Sequence, residues 1–178
     1  MPKKIVITGG PGSGKTSLIL FLEENGYQCQ NEISRQVTLE AQKKGIDQLF
    51  LSDPVLFSQH LLEGRLKQHQ EVGHFKKTIL FYDRGLPDIT AYMDFTNVSY
   101  PESFHTTCNK HRYDTVFILP PWKDIYTQDN ERYETYEEAE KIHKFLIQSY
   151  QKYGYEVIVV PFGTLKERMK FMITHLEL

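Results

Sequence analysis

The sequence has few cysteines and no long apolar run, and both absences exclude classes of protein. Its two cysteines, Cys29 and Cys108, lie far apart and lack the Cys or His companions of a zinc site, so we expect free thiols in a reducing compartment. No segment approaches the ~20 consecutive apolar residues of a membrane-spanning helix. The apolar run that begins at Ile5 reaches glycine too soon for the core of a signal peptide. We therefore expect a cytoplasmic protein without a membrane partner.

The sequence also lacks an excess of charge of either sign. Its 21 Lys and Arg residues and 23 Asp and Glu residues give a formal net charge of -2. General binding of nucleic acid needs a basic surface, and the lysine pairs at 43–44 and 76–77 are too small a basis for one. Nucleic acid is therefore not an expected partner. The length of 178 residues fits one domain, 1–178, which can bury roughly 70% of the surface of its unfolded chain.

Glycine is concentrated near the start of the chain, in a segment that matches the pattern G-x-x-x-x-G-K-[ST] at residues 9–16. An apolar run precedes this segment and a helix-like run follows it. Such a loop brings backbone N–H groups close to phosphate oxygens, Lys15 would reach the β- and γ-phosphates, and the Thr16 hydroxyl would bind Mg²⁺. We expect a nucleoside triphosphate, most simply ATP, as a ligand. The residues expected to contact it are Gly10, Pro11, Gly12, Ser13, Gly14, Lys15, Thr16 and Ser17.

Short apolar runs alternate with helical patterns along the chain, which is typical of an α/β fold with a parallel sheet covered by helices on both faces. The predicted strands are 4–8, 27–30, 78–82, 113–119 and 155–160. The predicted helices run from the phosphate loop to about Asn25, within 34–44, from Pro54 past Leu66, from Thr135 to Gly154, and onward from Thr164.

Two expectations concern the parts of the chain between these elements. The apolar spacing after Pro54 places Arg65 on the solvent side of its helix. The stretches 96–112 and 120–134 are left as long connections, the second of them rich in charges and tyrosine. Loops of that length are usually functional or mobile, so the segment 120–135 is a candidate lid.

Asp83 stands directly after four apolar residues of a predicted strand, where a carboxylate on the metal side of a phosphate site is expected. It can hold Mg²⁺ through water or accept a proton from an attacking hydroxyl, or it can simply cap the next turn. ATPases that hydrolyse their nucleotide usually have a Glu beside this Asp, but here the neighbour is Arg84. Arg84 suits a phosphate oxygen or an acceptor carboxylate, and a surface ion pair is the alternative. The pair therefore favours phosphoryl transfer over hydrolysis.

Recognition of guanine normally uses the pattern Asn-Lys-x-Asp. The nearest match is 109–112, where Arg112 stands in place of the deciding Asp. The sequence therefore does not support a GTPase, although it does not establish the choice of ATP over GTP.

Three residues are candidates for binding a phosphoryl acceptor. Glu32 and Arg35 follow a predicted strand at the edge of the sheet where ligands bind in open α/β folds, although the two could also pair with each other. Asp88 could contact the acceptor or cap the helix that follows it. Arg132, in the charged segment 129–132, is the candidate lid residue, since an arginine delivered by a closing segment can stabilise the migrating phosphoryl group. A solvated charge cluster is the alternative for that segment.

With these motifs assembled, the chain resembles the AAA-domain family that includes the ribosylnicotinamide-kinase portion of bacterial NAD regulators, within the wider P-loop kinase fold. The resemblance covers 4–168, and the strings 83–92 and 129–132 are its most specific parts. It implies a three-layer fold with a five-stranded parallel sheet in the order 2-3-1-4-5, and a lid that carries Arg132. It also implies an adenine pocket at Pro161, Gly163 and Thr164.

The leading hypothesis from the sequence is an ATP- and Mg²⁺-dependent phosphotransferase that acts on a small metabolite such as a nucleoside or nucleotide. Lys15, Asp83, Arg84 and Arg132 would then be the catalytic residues. The alternative is a switch that hydrolyses ATP slowly and changes its affinity for a protein partner. Oligomeric state and the identity of the acceptor do not follow from the sequence.

Overall fold

The computed structural model describes residues 2–72, 78–126 and 134–177, which form one five-stranded sheet flanked by helices. The order of strands is β2-β3-β1-β4-β5, and every paired neighbour is parallel. The α/β fold and the strand order 2-3-1-4-5 are therefore confirmed. The strands are β1 (Lys3–Thr8), β2 (Gln28–Gln30), β3 (Ile79–Asp83), β4 (Thr115–Ile118) and β5 (Val157–Val159).

Three of the described helices follow a residue whose side chain accepts a hydrogen bond from an exposed backbone N–H group. Asp53 accepts from the N–H of Leu56 ahead of a helix that opens with Pro54, and Thr135 and Thr164 each form a capping box. The helices are α1 (Lys15–Glu24), α2 (Ser34–Lys43), α3 (Leu49–Ser52), α4 (Pro54–Gln70), α5 (Leu86–Phe95), α6 (Glu102–Lys110), α7 (Tyr136–Lys152) and α8 (Leu165–His175).

The two faces of the sheet are covered by different helices because successive side chains of a strand point to opposite faces. Ile5 and Ile7 of β1 pack with Leu18 of α1 and Met172 of α8. Val6, between them, packs on the other face in a cluster to which α4, α5 and α7 contribute. Strands buried on both faces are apolar at every position, which explains the unbroken apolar runs in the sequence.

The sheet brings the ends of β1 and β3 side by side, with Ile7 in register with Asp83. The loop that follows β1 and the turn that follows β3 therefore meet at the carboxyl edge of the sheet, where open α/β folds bind ligands.

Two expectations for the connections and the helix surfaces are wrong. The stretch 96–112 contains α6, whose Phe104 and Cys108 are completely buried, so it is not a polar loop. Arg65 is 4% exposed, because α4 packs across the turn after β3 and its arginine finds acceptors there. Helical spacing alone placed that arginine in solvent.

Part of the candidate lid lies outside the described residues. Residues 120–126 continue from β4 and include a 3₁₀ turn at Lys123–Ile125, whereas the segment 127–133, with Arg132, is not among the residues that the structure describes. Within the described ranges, no helix is both long and apolar enough to cross a membrane.

The burial of α6 predicts its contribution to stability. Replacing Phe104 by Ala removes a fully buried aromatic ring and leaves a cavity between α6 and the sheet, so we expect a loss of about 3–5 kcal/mol in the free energy of unfolding. Chemical denaturation of the variant and the wild type measures this change in the free energy of unfolding. Ser103→Ala, on the exposed side of the same helix, should change stability by less than about 0.5 kcal/mol. An equally small loss for Phe104→Ala would show that α6 is not docked.

Candidate functional site

The phosphate loop has the backbone that its glycines predict. Gly12 and Gly14 adopt φ angles of 69° and 75°, in the left-handed region that favours glycine, and Gly14 is the N-cap of α1. The ring of Tyr126 lies directly against Gly12, so a side chain at this position would collide with it. The hydroxyl of Ser13 donates to the carbonyl of Gly10 over 2.8 Å and closes the loop on itself. The loop therefore leads into the N-terminus of α1, where N–H groups and the helix dipole favour an anion.

Lys15, on the first turn of α1, forms an ion pair with Asp83 at the end of β3. Burial lowers the pKa of Lys15 and the nearby Arg84 lowers it further, although Asp83 opposes both effects. The side chain of Thr16, the next residue, is exposed. A threonine hydroxyl and a carboxylate are oxygen ligands of the kind that Mg²⁺ prefers, so the residues present fit a magnesium ion beside the loop.

Arg84 adopts a left-handed backbone conformation with φ of 73°, which is uncommon for a residue other than glycine. Its N–H donates to the carbonyl of Ile7 over 3.0 Å, which fixes the turn after β3 against β1. Its Nε lies 2.5 Å from a carboxylate oxygen of Glu32, and its guanidinium also contacts Tyr92 through a hydrogen bond of 3.3 Å. The turn therefore holds the guanidinium against the segment that follows β2, with its charge close to Lys15.

The carboxylate of Glu32 bridges two arginines. Besides Arg84, it accepts a hydrogen bond of 3.1 Å from Arg65, which also donates to the carbonyl of Gly85 over 2.9 Å. Burial alone would raise the pKa of Glu32, but the charges of Arg65, Arg84 and Lys15 hold it well below its ordinary value. The sequence did not lead us to expect Arg65 in the site. The one feature that could have indicated it is an arginine that stands among the apolar residues of a helix.

Asp88 is completely buried under the turn after β3. Its carboxylate accepts from Thr8 at 2.6 Å, from the N–H of Gly85 at 2.9 Å and from Tyr150 at 2.5 Å. The bond to Gly85 caps the start of α5, because Gly85 is the N-cap residue and Asp88 lies in the first turn of the helix. Because protein donors already occupy this carboxylate, the geometry favours the capping alternative over direct contact with an acceptor.

A cavity of about 950 Å³ opens beside Arg84, between α2, α4 and α5. Its lining combines polar side chains with a larger apolar part that includes three phenylalanine rings. The ion-paired residues Glu32, Arg65 and Arg84 form its polar end, and Arg35 also lines the cavity. The apolar wall includes Phe50, Phe57, Leu61, Ile89, Met93 and Phe95. Such a pocket fits a small molecule with an apolar or aromatic part and a polar part that faces the phosphate loop.

The segment predicted to bind a nucleotide base connects β5 to α8. Thr164 caps α8 by accepting from the N–H of Glu167, and Gly163 has φ of 154°. Pro161 is exposed, and the ring of Phe162 beside it lies 5.1 Å from the ring of Trp122. The base-binding role of Pro161, Gly163 and Thr164 stays a prediction.

Comparison with known families assigns nearly the whole chain to one family. A family model described as AAA domain matches residues 4–168. The chain belongs to the AAA domain family. Among curated proteins, none matches the sequence significantly.

Solved structures with a similar fold include deoxyadenosine kinase and NadR. A structure of deoxyadenosine kinase from M. mycoides, with the products dCMP and dCDP, has a TM-score of 0.67 at 17% identity and 98% coverage of both chains. A structure of NadR in complex with NR has a TM-score of 0.71 at 17% identity, with 98% of this AAA-domain chain covering 50% of that one. A second structure of NadR, in complex with NAD and AMP-PNP, has a TM-score of 0.69 at 17% identity. This AAA-domain protein therefore has a P-loop kinase fold.

The left-handed backbone at Arg84 predicts a difference between two variants that both lack the guanidinium. Glycine adopts this conformation without a steric penalty, whereas alanine does not. We expect Arg84→Gly to be more stable than Arg84→Ala by about 1 kcal/mol in urea denaturation. Equal stabilities, or a more stable alanine variant, would contradict the conformation of this turn.

The ion pairs of Glu32 predict a pH dependence of stability. Its folded-state pKa lies below the unfolded value of about 4.3, so its contribution to stability is complete above that pH and is lost as the pH falls toward the folded value. We expect Glu32→Gln to cost about 3 kcal/mol near neutral pH and progressively less below about pH 4. Unfolding curves for both proteins between about pH 7 and about pH 3 test it. A difference that stays constant over this range would argue against the pairing.

Proposed function

We propose that this protein is an ATP- and Mg²⁺-dependent kinase that transfers the γ-phosphoryl group to a small metabolite of the nucleoside or nucleotide class. The observation that carries the proposal is the position of Arg84 and Lys15. The charge of Arg84 lies close enough to Lys15 to lower its pKa, and Arg84 also lines the cavity of about 950 Å³. A phosphate cradle beside a largely apolar cavity suits transfer to a bound acceptor better than transfer to water.

The donor half of the site would use the phosphate loop and its neighbours. The N–H groups of the loop would bind the phosphates, and Lys15 would exchange its contact with Asp83 for the β- and γ-phosphate oxygens. Thr16 and Asp83 would hold Mg²⁺, which supplies neutralisation of charge on those oxygens. The segment Pro161–Thr164 would lie near the base, as the family resemblance implies.

The acceptor half would use the cavity between α2, α4 and α5. Its size and its phenylalanine-rich wall fit a nucleoside, with the ring system against the apolar side and the hydroxyl groups toward Glu32. The structurally similar deoxyadenosine kinase and NadR bind deoxynucleotides and NR in their solved structures, which supports an acceptor of the same class here. Arg35 is exposed at the cavity wall and would contact a polar group of the acceptor.

Two carboxylates near the cradle would differ in their roles. Glu32 is held ionised by two arginines, so it is a weak base and would orient acceptor hydroxyls by accepting their hydrogen bonds. Asp83 faces Lys15 and would take the proton of the attacking hydroxyl once Lys15 contacts phosphate. Arg84 would stabilise the negative charge that spreads over the migrating group. The role of Arg132 as a lid residue stays a proposal from the sequence.

Incubation with ATP, Mg²⁺ and a panel of nucleosides and nucleotides, followed by mass spectrometry, tests the function. We expect one or more monophosphate or diphosphate products at the expense of ATP. Lys15→Ala and Asp83→Asn should each reduce the rate of product formation about 100-fold or more, because each removes a group that acts on the transferred phosphoryl. Lys144→Ala, an exposed lysine on α7, should leave the rate unchanged.

Two results would contradict the proposal. Release of ADP and free phosphate with no phosphorylated acceptor from any compound would favour the alternative of a nucleotide-dependent switch. Unchanged product formation in Lys15→Ala would show that the phosphate loop does not hold the donor.

A further inference from the structure

Arg168 reaches the phosphate loop from the opposite end of the chain. It lies in the first turns of α8 and its side chain is 2% exposed. Its Nη1 donates to the carbonyl of Ser13 over 3.0 Å, and the same nitrogen lies 3.0 Å from the position that a side chain at Gly14 would occupy. No sequence motif indicates this contact, because the two residues are separated by almost the whole chain.

The hydrogen bond from Arg168 determines the orientation of a peptide group in the cradle. In a planar trans peptide the C=O and the N–H point in opposite directions, so a Ser13 carbonyl that faces Arg168 turns the N–H of Gly14 to the other side. The preceding peptide is tied in the same way, because the N–H of Trp122 donates to the carbonyl of Gly12 over 3.0 Å. Two successive N–H groups, those of Ser13 and Gly14, therefore face away from these contacts.

These two N–H groups have no acceptor among the described residues. Successive backbone N–H groups that are held away from the protein's own acceptors form an anion-binding concavity. The orientation that Arg168 imposes is thus the one that phosphate oxygens require.

The other two nitrogens of the Arg168 guanidinium form no hydrogen bond in the described part of the chain. These atoms, Nε and Nη2, are buried. A cation–π contact with Trp122, 5.9 Å from the ring centroid, is the other interaction of this group. Buried donors without partners are destabilising, and apolar residues often replace buried charges without loss of stability. The interaction of Arg168 with the loop is therefore not explained by a contribution to the stability of the fold.

We propose that Arg168 is a positioning residue that orients the N–H groups of the phosphate loop toward the phosphates of the donor. The proposal rests on the proposed function, in that the ligand of the loop is a nucleoside triphosphate. Arg168 acts through the carbonyl of Ser13 and does not itself contact the phosphates.

Arg168→Met tests the proposal by separating binding from stability. Calorimetric titration with Mg·ATP should show affinity weakened about tenfold or more, as expected for loss of a hydrogen bond to a charged group. The melting temperature should stay unchanged or rise, because the buried unpartnered donors are removed. Arg168→Lys, which keeps the charge and one donor, should recover part of the affinity. Lys170→Met, at an exposed position of α8, should match the wild type in both measurements.

A merely structural role for Arg168 predicts the opposite result. In that case Arg168→Met would lower the melting temperature or fail to fold, and affinity would fall only through the unfolded fraction. Either that result or an affinity within about twofold of the wild type would overturn the proposal.

A second readout does not depend on nucleotide binding. Backbone ¹⁵N relaxation should give order parameters near about 0.85 for Ser13 and Gly14 in the wild type, and clearly lower values in Arg168→Met. Unchanged order parameters would overturn the positioning role. If the wild type binds no Mg·ATP but the order parameters fall as expected, the proposed function fails while the role of Arg168 in orienting the loop stands.

Discussion

The carboxylate of Glu32, held between Arg65 and Arg84, is the contact on which the proposed acceptor end of the site depends. It joins the segment after the edge strand β2, the buried side of α4 and the turn after β3. Removing Glu32 leaves two largely buried guanidinium groups without this carboxylate, which is costly, whereas removing either arginine leaves Glu32 with one of its two charged partners. The same ion pairs hold the turn at Arg84 and the polar end of the cavity in place. A polar cluster, and not an apolar core, joins the three segments here.

The two halves of the site meet in adjacent residues of one turn. Asp83 faces Lys15 in the cradle, whereas Arg84 faces Glu32 and the cavity. The buried carboxylate of Asp88 accepts a hydrogen bond from the N–H of Gly85, which fixes the turn that contains Asp83 and Arg84. Phosphoryl transfer depends on placing donor and acceptor within reach of each other, and under the proposed function this turn would supply that placement.

Features that depend on short stretches of sequence could be predicted, whereas those that depend on distant contacts could not. The cradle and the five strands follow from local glycine spacing and apolar runs, and the α/β fold is confirmed. The order of strands, which the family resemblance implied, is confirmed as well. Arg65 was placed on the wrong side of its helix, because its partners come from other elements. Helix α6 was missed because its pattern is mostly polar, and only Phe104 and Cys108 anchor it. The contact of Arg168 with Ser13 has no local signal at all.

A crystal structure of the protein with AMP-PNP and Mg²⁺ tests the central claim most directly, which is that one phosphate loop donates into one acceptor cavity. The account predicts that the triphosphate lies in the loop with its γ-phosphate beside Arg84 and directed toward the cavity lined by Phe57 and Phe95. A γ-phosphate that points away from this cavity, toward an open surface, would contradict the account and favour a switch.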